Sequence, residues 1–159
     1  MKAAVLTVSD GVFQGERDDE SGQVLADLLE GEGYEVARRV VPDELDAIAE
    51  AIAELAEDAA LVLTTGGTGV APRDVTPEAT LEVIERDVPG IAEAIRADSI
   101  PKTPHALLSR GIAGIRDRTL VVNLPGSPGG CRDGFAVVRE ALPHALALLS
   151  GGETAHRQT

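Results

Sequence analysis

The chain has 159 residues, enough for one domain with its own core, and 43% are hydrophobic but only 2% aromatic. That core is aliphatic and offers little stacking platform for single-stranded nucleic acid. A formal net charge of −13 with no basic run argues against a phosphate-backbone footprint, although an acidic chain still binds a phosphorylated small molecule when a metal ion offsets the repulsion.

Residues 3–9 read as a buried strand ending in Ser9-Asp10. Residues 11–20 read as a loop with an acidic cluster, Glu16, Asp18, Asp19 and Glu20, most simply a solvated one, although its place beside Asp10 also suits a substrate lid. Ser21 is a fair N-cap for a helix whose apolar face is Val24, Leu25, Leu28 and Leu29, stopped by Gly31 and Gly33. A second strand over 34–41 is bounded by Pro42-Asp43-Glu44. Leu45, Ile48, Ile52 and Leu55 then recur at helical spacing over 44–57. A third strand over 60–65 runs into a glycine-rich loop, Thr65-Gly66-Gly67-Thr68-Gly69, then Arg73-Asp74, then a helix start at Thr76-Pro77-Glu78. Glycines let a backbone approach a ligand closely, and helix amides favour an anion. The loop lacks the Gly-Lys-Ser/Thr of a Walker A sequence and is not a GxGxxG fingerprint.

That helix is expected to run to about 86, and Pro89-Gly90 restarts one to about Ala97. Pro101 and Pro104 break the pattern before Ser109-Arg110. Segments 112–116 and 119–124 read as a short hairpin turning at Asp117-Arg118. Asn123-Leu124-Pro125-Gly126-Ser127-Pro128 forms a second loop, with a type II turn at Pro125-Gly126 and a cap at Ser127. Helix follows to about Leu149, and residues 151–159 read as a frayed tail after a single domain over 1–150.

Strand–helix alternation implies an α/β fold, a mostly parallel sheet with helices on both faces. Parallel strands place their C-terminal ends on one edge, where open α/β sheets bind ligands. Asp10, Asp43, the 66–69 loop with Asp74, and the 123–127 loop each follow a strand and are expected to converge there, as a site for a metal-chelated phosphate. From spacing alone plainer roles stay open: Asp43 as a helix N-cap, Asp74 as a turn partner of Arg73, Asp10 as an Asx turn, Thr76 as a cap, Ser109 and Arg110 as exposed residues. His105, His144 and His156 lack metal-ligand spacing, and Cys131 reads as packed rather than catalytic. With one cysteine, too short an apolar amino terminus for a signal peptide and no stretch able to span a bilayer, the expected compartment is the cytoplasm.

Thr7-Val-Ser-Asp10, Pro42-Asp43-Glu44, Thr64-Thr-Gly-Gly-Thr-Gly69, Arg73-Asp-Val-Thr-Pro-Glu-Ala79, Leu108-Ser-Arg110 and Asn123-Leu-Pro-Gly-Ser-Pro128, in that order, resemble the MogA/MoaB family of molybdenum-cofactor biosynthesis proteins. The resemblance implies a three-layer α/β/α sandwich, a homotrimer or a hexamer made of two trimers, and Mg²⁺-dependent transfer of an adenylyl group from ATP to molybdopterin. It implies that Asp43 and Asp74 are the catalytic, Mg²⁺-holding carboxylates. Asp10, Thr65, Gly66, Gly67, Thr68, Gly69, Arg73, Ser109, Arg110, Asn123, Pro125, Gly126 and Ser127 would serve nucleotide and pterin, with Arg73 or Arg110 on the leaving pyrophosphate. A downstream molybdenum-insertion protein is the implied partner. Gly129-Gly130 departs from the family's usual helix start, and the chain lacks the late insertion of longer MogA-type members. Two other functions compete: a non-catalytic molybdopterin carrier of MoaB type, and a nucleotide hydrolase like the CinA N-terminal domain.

Overall fold

A computed structural model describes residues 1–151; residues 152–159 of the expected tail, with His156, lie outside the described residues. Strand β1, Lys2–Val8, is buried at every position after Lys2, as an apolar run without polar alternation requires. Its side chains feed two cores in turn. Ala3 and Val5 face one, and Ala4, Leu6 and Val8 face the other.

Parallel pairing joins β1 to β2 (Glu35–Val41) and β3 (Leu61–Thr65), and β3 to β6 (Thr119–Leu124). The expected hairpin is present: β5 (Ala113–Arg116) pairs antiparallel with β6 across a turn in which Asp117 takes φ 52. A further strand, β4 (Arg86–Asp87), pairs antiparallel with β5, giving the order β2-β1-β3-β6-β5-β4. Helices α2 (Glu20–Gly31), α5 (Pro89–Ser99), α6 (Pro128–Val138) and α7 (Leu142–Leu149) supply one core; α3 (Leu45–Ala56) and α4 (Thr76–Val83) supply the other. The result is the expected three-layer α/β/α sandwich. No helix among the described residues is long and apolar enough to cross a membrane.

The register fixes the site. Val8 stands beside Val41, Thr7 beside Thr65, and Thr65 beside Leu124. The four parallel strands therefore end together, and Ser9, Pro42, Gly66 and Pro125 leave from one edge.

Several local expectations are corrected. Within 11–20 lies a one-turn helix, α1 (Asp10–Phe13), because the Ser9 hydroxyl accepts from the Val12 N–H. Asp19, not Ser21, caps α2 by accepting from Gly22 N at 3.0 Å. α4 ends at Val83, not 86: Ile84 turns extended, and Gly114 lets β4 approach, since a Cβ there would lie 2.8 Å from Arg86 O. The last helix is two, because Pro143 sits in the first turn of α7, where its missing N–H is harmless. Pro104–Leu108 forms a 3-10 turn.

Candidate active site

The loop after β3 is the floor of a cleft of about 730 Å³ that Asp43, Asp74, Thr65, Gly66, Gly67 and Gly126 all line. That volume suits a small-molecule ligand. Two positions in the loop must be glycine. Gly66 takes φ 100 and Gly67 φ 69, conformations that L side chains rarely adopt. A Cβ on Gly66 would stand 2.3 Å from the Val8 carbonyl oxygen, and one on Gly67 2.2 Å from Thr76 Oγ1.

Polar ties hold this floor. Thr76, expected as a cap, is instead the first helical residue after N-cap Val75; its hydroxyl donates to Gly66 O at 2.9 Å and its N–H to Gly67 O at 3.0 Å. Arg110, which the sequence left exposed or on a phosphate, is spent on the loop. Its Nε donates to Gly69 O at 2.7 Å, its Nη2 to Asp74 O at 2.6 Å, and its Nη1 pairs with Glu78, while its N–H donates to Thr68 O at 2.8 Å. This guanidinium holds the Glu78 carboxyl below the usual carboxylate range. Asp74 does not pair with Arg73; its Oδ2 accepts from Ala71 N at 3.0 Å, closing its own turn.

The wall is built from the residues after β1 and β2. Asp10 and Asp43 exchange bonds, each carboxylate accepting from the other's backbone N–H at 2.9 Å. Asp43 is not a helix cap; that position falls to Glu44, which makes no side-chain capping bond. Arg73 grips Asp10 with Nε at 2.7 Å and Nη2 at 3.0 Å, which holds the Asp10 carboxyl below its ordinary range. Burial, aided by the negative charges of Asp10 and Asp74, pushes the Asp43 carboxyl upward, against the pull of the Asp10 N–H and Arg73. Asp10 and Arg73 line a neighbouring hollow rather than the cleft itself.

The other expected residues divide. Thr68, Gly69, Ser109, Pro125 and Ser127 line a smaller cavity of about 290 Å³ on the far side of the two loops. Gly126 brings the loops together, since a Cβ there would lie 3.3 Å from Gly66 Cα. The Thr65 hydroxyl donates to Pro125 O at 2.6 Å, and the buried Cys131 thiol donates to the same oxygen at 3.2 Å. Burial pushes that thiol up to about 11, so it is a neutral tether and not a nucleophile. Ser127 caps α6 as expected, accepting from Gly130 N at 3.0 Å. Asn123 is a correction: it is buried away from all these cavities. Its Nδ2 donates to Thr64 and Thr80 hydroxyls at 3.0 and 3.1 Å, and its Oδ1 accepts from Ile112 N.

The sequence left the segment after α1 as a solvated loop or a substrate lid and assigned none of its residues to the site. Glu16, Arg17, Asp18, Glu20 and Ser21 join Thr7 and Ser9 along the cleft. Asp19, read as solvated, is half-buried: it accepts from Thr7 Oγ1 at 2.9 Å and pairs with Arg38 at 2.9 Å. Threonine at the end of β1 was the available signal, because a hydroxyl on a buried strand needs a partner.

Among the described residues no three His, Cys, Asp or Glu side chains form a metal cage. A cation held by one or two carboxylates and completed by a ligand's phosphates needs none. The buried, like-charged surroundings of Asp43 fit such a cation, since added positive charge relieves them.

Residues 4–144 match the family model described as a probable molybdopterin binding domain. The chain is 41% identical, over 98% of its length, to the Drosophila melanogaster molybdenum cofactor synthesis protein cinnamon, of which it spans 26%. It is 38% identical over 92% of its length to a molybdopterin adenylyltransferase of Helicobacter pylori, covering 86% of that protein. Among solved structures, a molybdopterin biosynthesis enzyme MoaB from Thermus thermophilus is 49% identical with a TM-score of 0.88, over 94% of this chain and 96% of that one. A fold of the same topology and a family match across nearly all the strands and helices agree: the chain belongs to the MogA/MoaB family, whose shared unit is a probable molybdopterin binding domain.

Proposed function

We propose that the chain is a molybdopterin adenylyltransferase that uses Mg²⁺ and ATP, acting in the cytoplasm as a homotrimer or hexamer. The observation that carries this reading is the meeting of two carboxylates, Asp43 and Asp74, with the Gly66-Gly67 turn on one cleft. Curated relatives named for the same activity support it at 34–38% identity.

In the proposed reaction an oxygen of the terminal phosphate of molybdopterin attacks the α-phosphorus of ATP. The Pα–O–Pβ bond breaks, and pyrophosphate leaves with the bonding electrons. The attacking group is already an anion, so the chain needs no Ser, Cys or His nucleophile; its work is alignment and neutralisation. Asp43 and Asp74 would hold Mg²⁺, which when bound neutralises phosphate charge. The reciprocal Asp10–Asp43 pair keeps the Asp43 carboxylate on the cleft side of the wall. Gly66 N–H is committed to Leu124 O at 3.3 Å, so among the loop residues on this cleft the Gly67 amide would serve the phosphates, while Thr68 and Gly69 border the smaller cavity. The smaller cavity across the loops, with Ser109 and Ser127, would take the second substrate beside the first.

The test is incubation of the full chain with molybdopterin and Mg-ATP, followed by mass spectrometry of the pterin and an assay of pyrophosphate. The expected outcome is one pyrophosphate per adenylylated pterin. Pterin binding without pyrophosphate would make the protein a carrier, and nucleotide cleavage without pterin would make it a hydrolase; either overturns the reading.

A further inference from the structure

Among the described residues the acidic cleft is lined by one cationic side chain, and it is not one of the arginines that the sequence singled out. Five carboxylates line the cleft, Glu16, Asp18, Glu20, Asp43 and Asp74, against a single basic residue, Arg17. A polyphosphate entering such a surface meets a repulsive field, and the carboxylates that hold a metal ion offset only part of it. Arg73 and Arg110 are already engaged, the first on Asp10 and the second on Glu78 and two carbonyls. Arg17, among the described residues, pairs with no carboxylate.

Its guanidinium is nevertheless held. Nη2 donates to Ser9 Oγ at 2.7 Å, the same hydroxyl that caps α1. The group lies against the α1 backbone at Gly11, where a Cβ would come within 2.8 Å of Arg17 Nε. One edge of a planar fork is thus fixed by a neutral acceptor, and the side chain borders the cleft without an ion-pair partner among the described residues. A guanidinium docked this way gives up little of its motional freedom when it meets a second oxygen ligand.

We infer that Arg17 is a phosphate-contacting residue of this cleft, a role that rests on the proposed reading of the cleft as a phosphoryl-ligand site. The ligand chemistry is a phosphate ester or anhydride, from ATP or from the terminal phosphate of molybdopterin. Ser9 and Gly11 are positioning residues that act through Arg17.

The experiment is calorimetric titration of the full chain, wild type, Arg17→Ala and Arg17→Lys, with three probes: Mg-ATP, molybdopterin, and inorganic pyrophosphate with Mg²⁺. Arg17 is exposed, and matching circular dichroism and melting temperature establish that the variants fold. Loss of one charge-assisted contact is expected to weaken binding about tenfold or more, with Lys restoring part of it. Loss confined to the Mg-ATP arm assigns Arg17 to the nucleotide; loss confined to the molybdopterin arm assigns it to the pterin phosphate. Equal affinities of Arg17→Ala and wild type for all three probes overturn the inference while leaving the adenylyltransferase reading standing. Wild-type protein that binds pyrophosphate in an Arg17-dependent way, but neither ATP nor molybdopterin, overturns that reading and keeps the inference. A wild type that binds none of the probes overturns both.

Discussion

The loop after β3 and the segment after β1 border the same cleft, yet they are held by different means. The first, Gly66 to Thr76, is pinned by buried or half-buried bonds: the Thr76 hydroxyl to Gly66 O, the Thr76 N–H to Gly67 O, and Arg110 across to Gly69 and Asp74. The second, Asp10 to Glu20, is held at its start by the half-buried Asp10–Asp43 exchange and the exposed Arg73–Asp10 ion pair, in its middle by an exposed bond from Arg17 to the neutral Ser9 hydroxyl, and near its end by half-buried Asp19. Bonds sheltered from water give a fixed geometry, whereas exposed ion pairs contribute little stability and adjust readily. The floor is therefore pre-organised, and the wall can adapt to what is bound. Changes to the floor should damage fold and chemistry together, and changes to the wall should act on binding with the fold intact.

The largest effect is expected at Gly66→Ala. The φ of 100 and a carbonyl oxygen 2.3 Å from the new Cβ leave no small adjustment, because the obstacle is the β1 backbone. A loss of about 3 kcal/mol or more in chemical denaturation should accompany loss of activity. A variant with wild-type stability would show that the loop is not fixed as described. Asp74→Asn comes next and separates chemistry from folding. Asn keeps an oxygen to accept from Ala71 N, so stability should hold, while loss of the charge should slow adenylyl transfer at saturating Mg²⁺ by about a hundredfold. An unimpaired rate would remove Asp74 from the cation-holding role.

These two regions were also unequally legible in the sequence. The floor announces itself: an apolar β-branched strand, glycines, then Thr-Pro-Glu can be read without coordinates. Even there, Thr76 was misjudged, because a threonine before proline is a cap in most settings, and here its hydroxyl turns back to Gly66 O, ten residues earlier. Arg110 could not be placed because its acceptors lie 32 to 41 residues away in the chain. Asn123 misled in the opposite direction. A polar residue near the end of a central strand looks like a ligand contact, but two threonine hydroxyls and a backbone N–H consume its amide inside the fold. The wall was least legible. Its acids look solvated in one dimension, and only the packing of β1 against α2 shows that Asp19 joins Thr7 and Arg38.

Arg110→Ala tests how far the floor depends on a single side chain. The substitution removes the donors to two carbonyls and leaves Glu78 without its guanidinium, although Glu78 Oε2 is itself buried without a partner. Partial exposure of the pair tempers the cost to about 2 kcal/mol. Thermal unfolding measures it. Arg110→Lys keeps the charge but cannot reach three acceptors with one ammonium, so it should recover less than half. Full recovery by lysine would mean that charge alone, and not the fork, holds the loop.

The smallest expected effect has the unusual sign. Asp43 sits in the wall with its carboxyl pushed above the ordinary range, chiefly by burial and further by Asp10 and Asp74. A carboxyl that is a weaker acid folded than unfolded disfavours folding once it ionises. Well below the ordinary aspartate value of about 3.9 it is protonated in both states and costs nothing; the penalty is complete only when pH has risen through the folded-state value. Asp43→Asn removes this titration while its side-chain oxygen still accepts from Asp10 N. In metal-free buffer the variant should therefore be more stable than wild type at neutral pH, by on the order of 0.5 kcal/mol after solvent screening, and the gap should shrink as pH falls and close by about pH 3. Melting curves from about pH 3 to neutrality check this, and the same curves with Mg²⁺ at neutral pH should raise the wild type alone. A gap that persists unchanged to about pH 3 would show that the side chain's shape, and not its charge, strains the wall. Closure of the gap would identify the destabilising carboxylate as a site that folding alone does not favour, the expected mark of a residue kept for binding a cation.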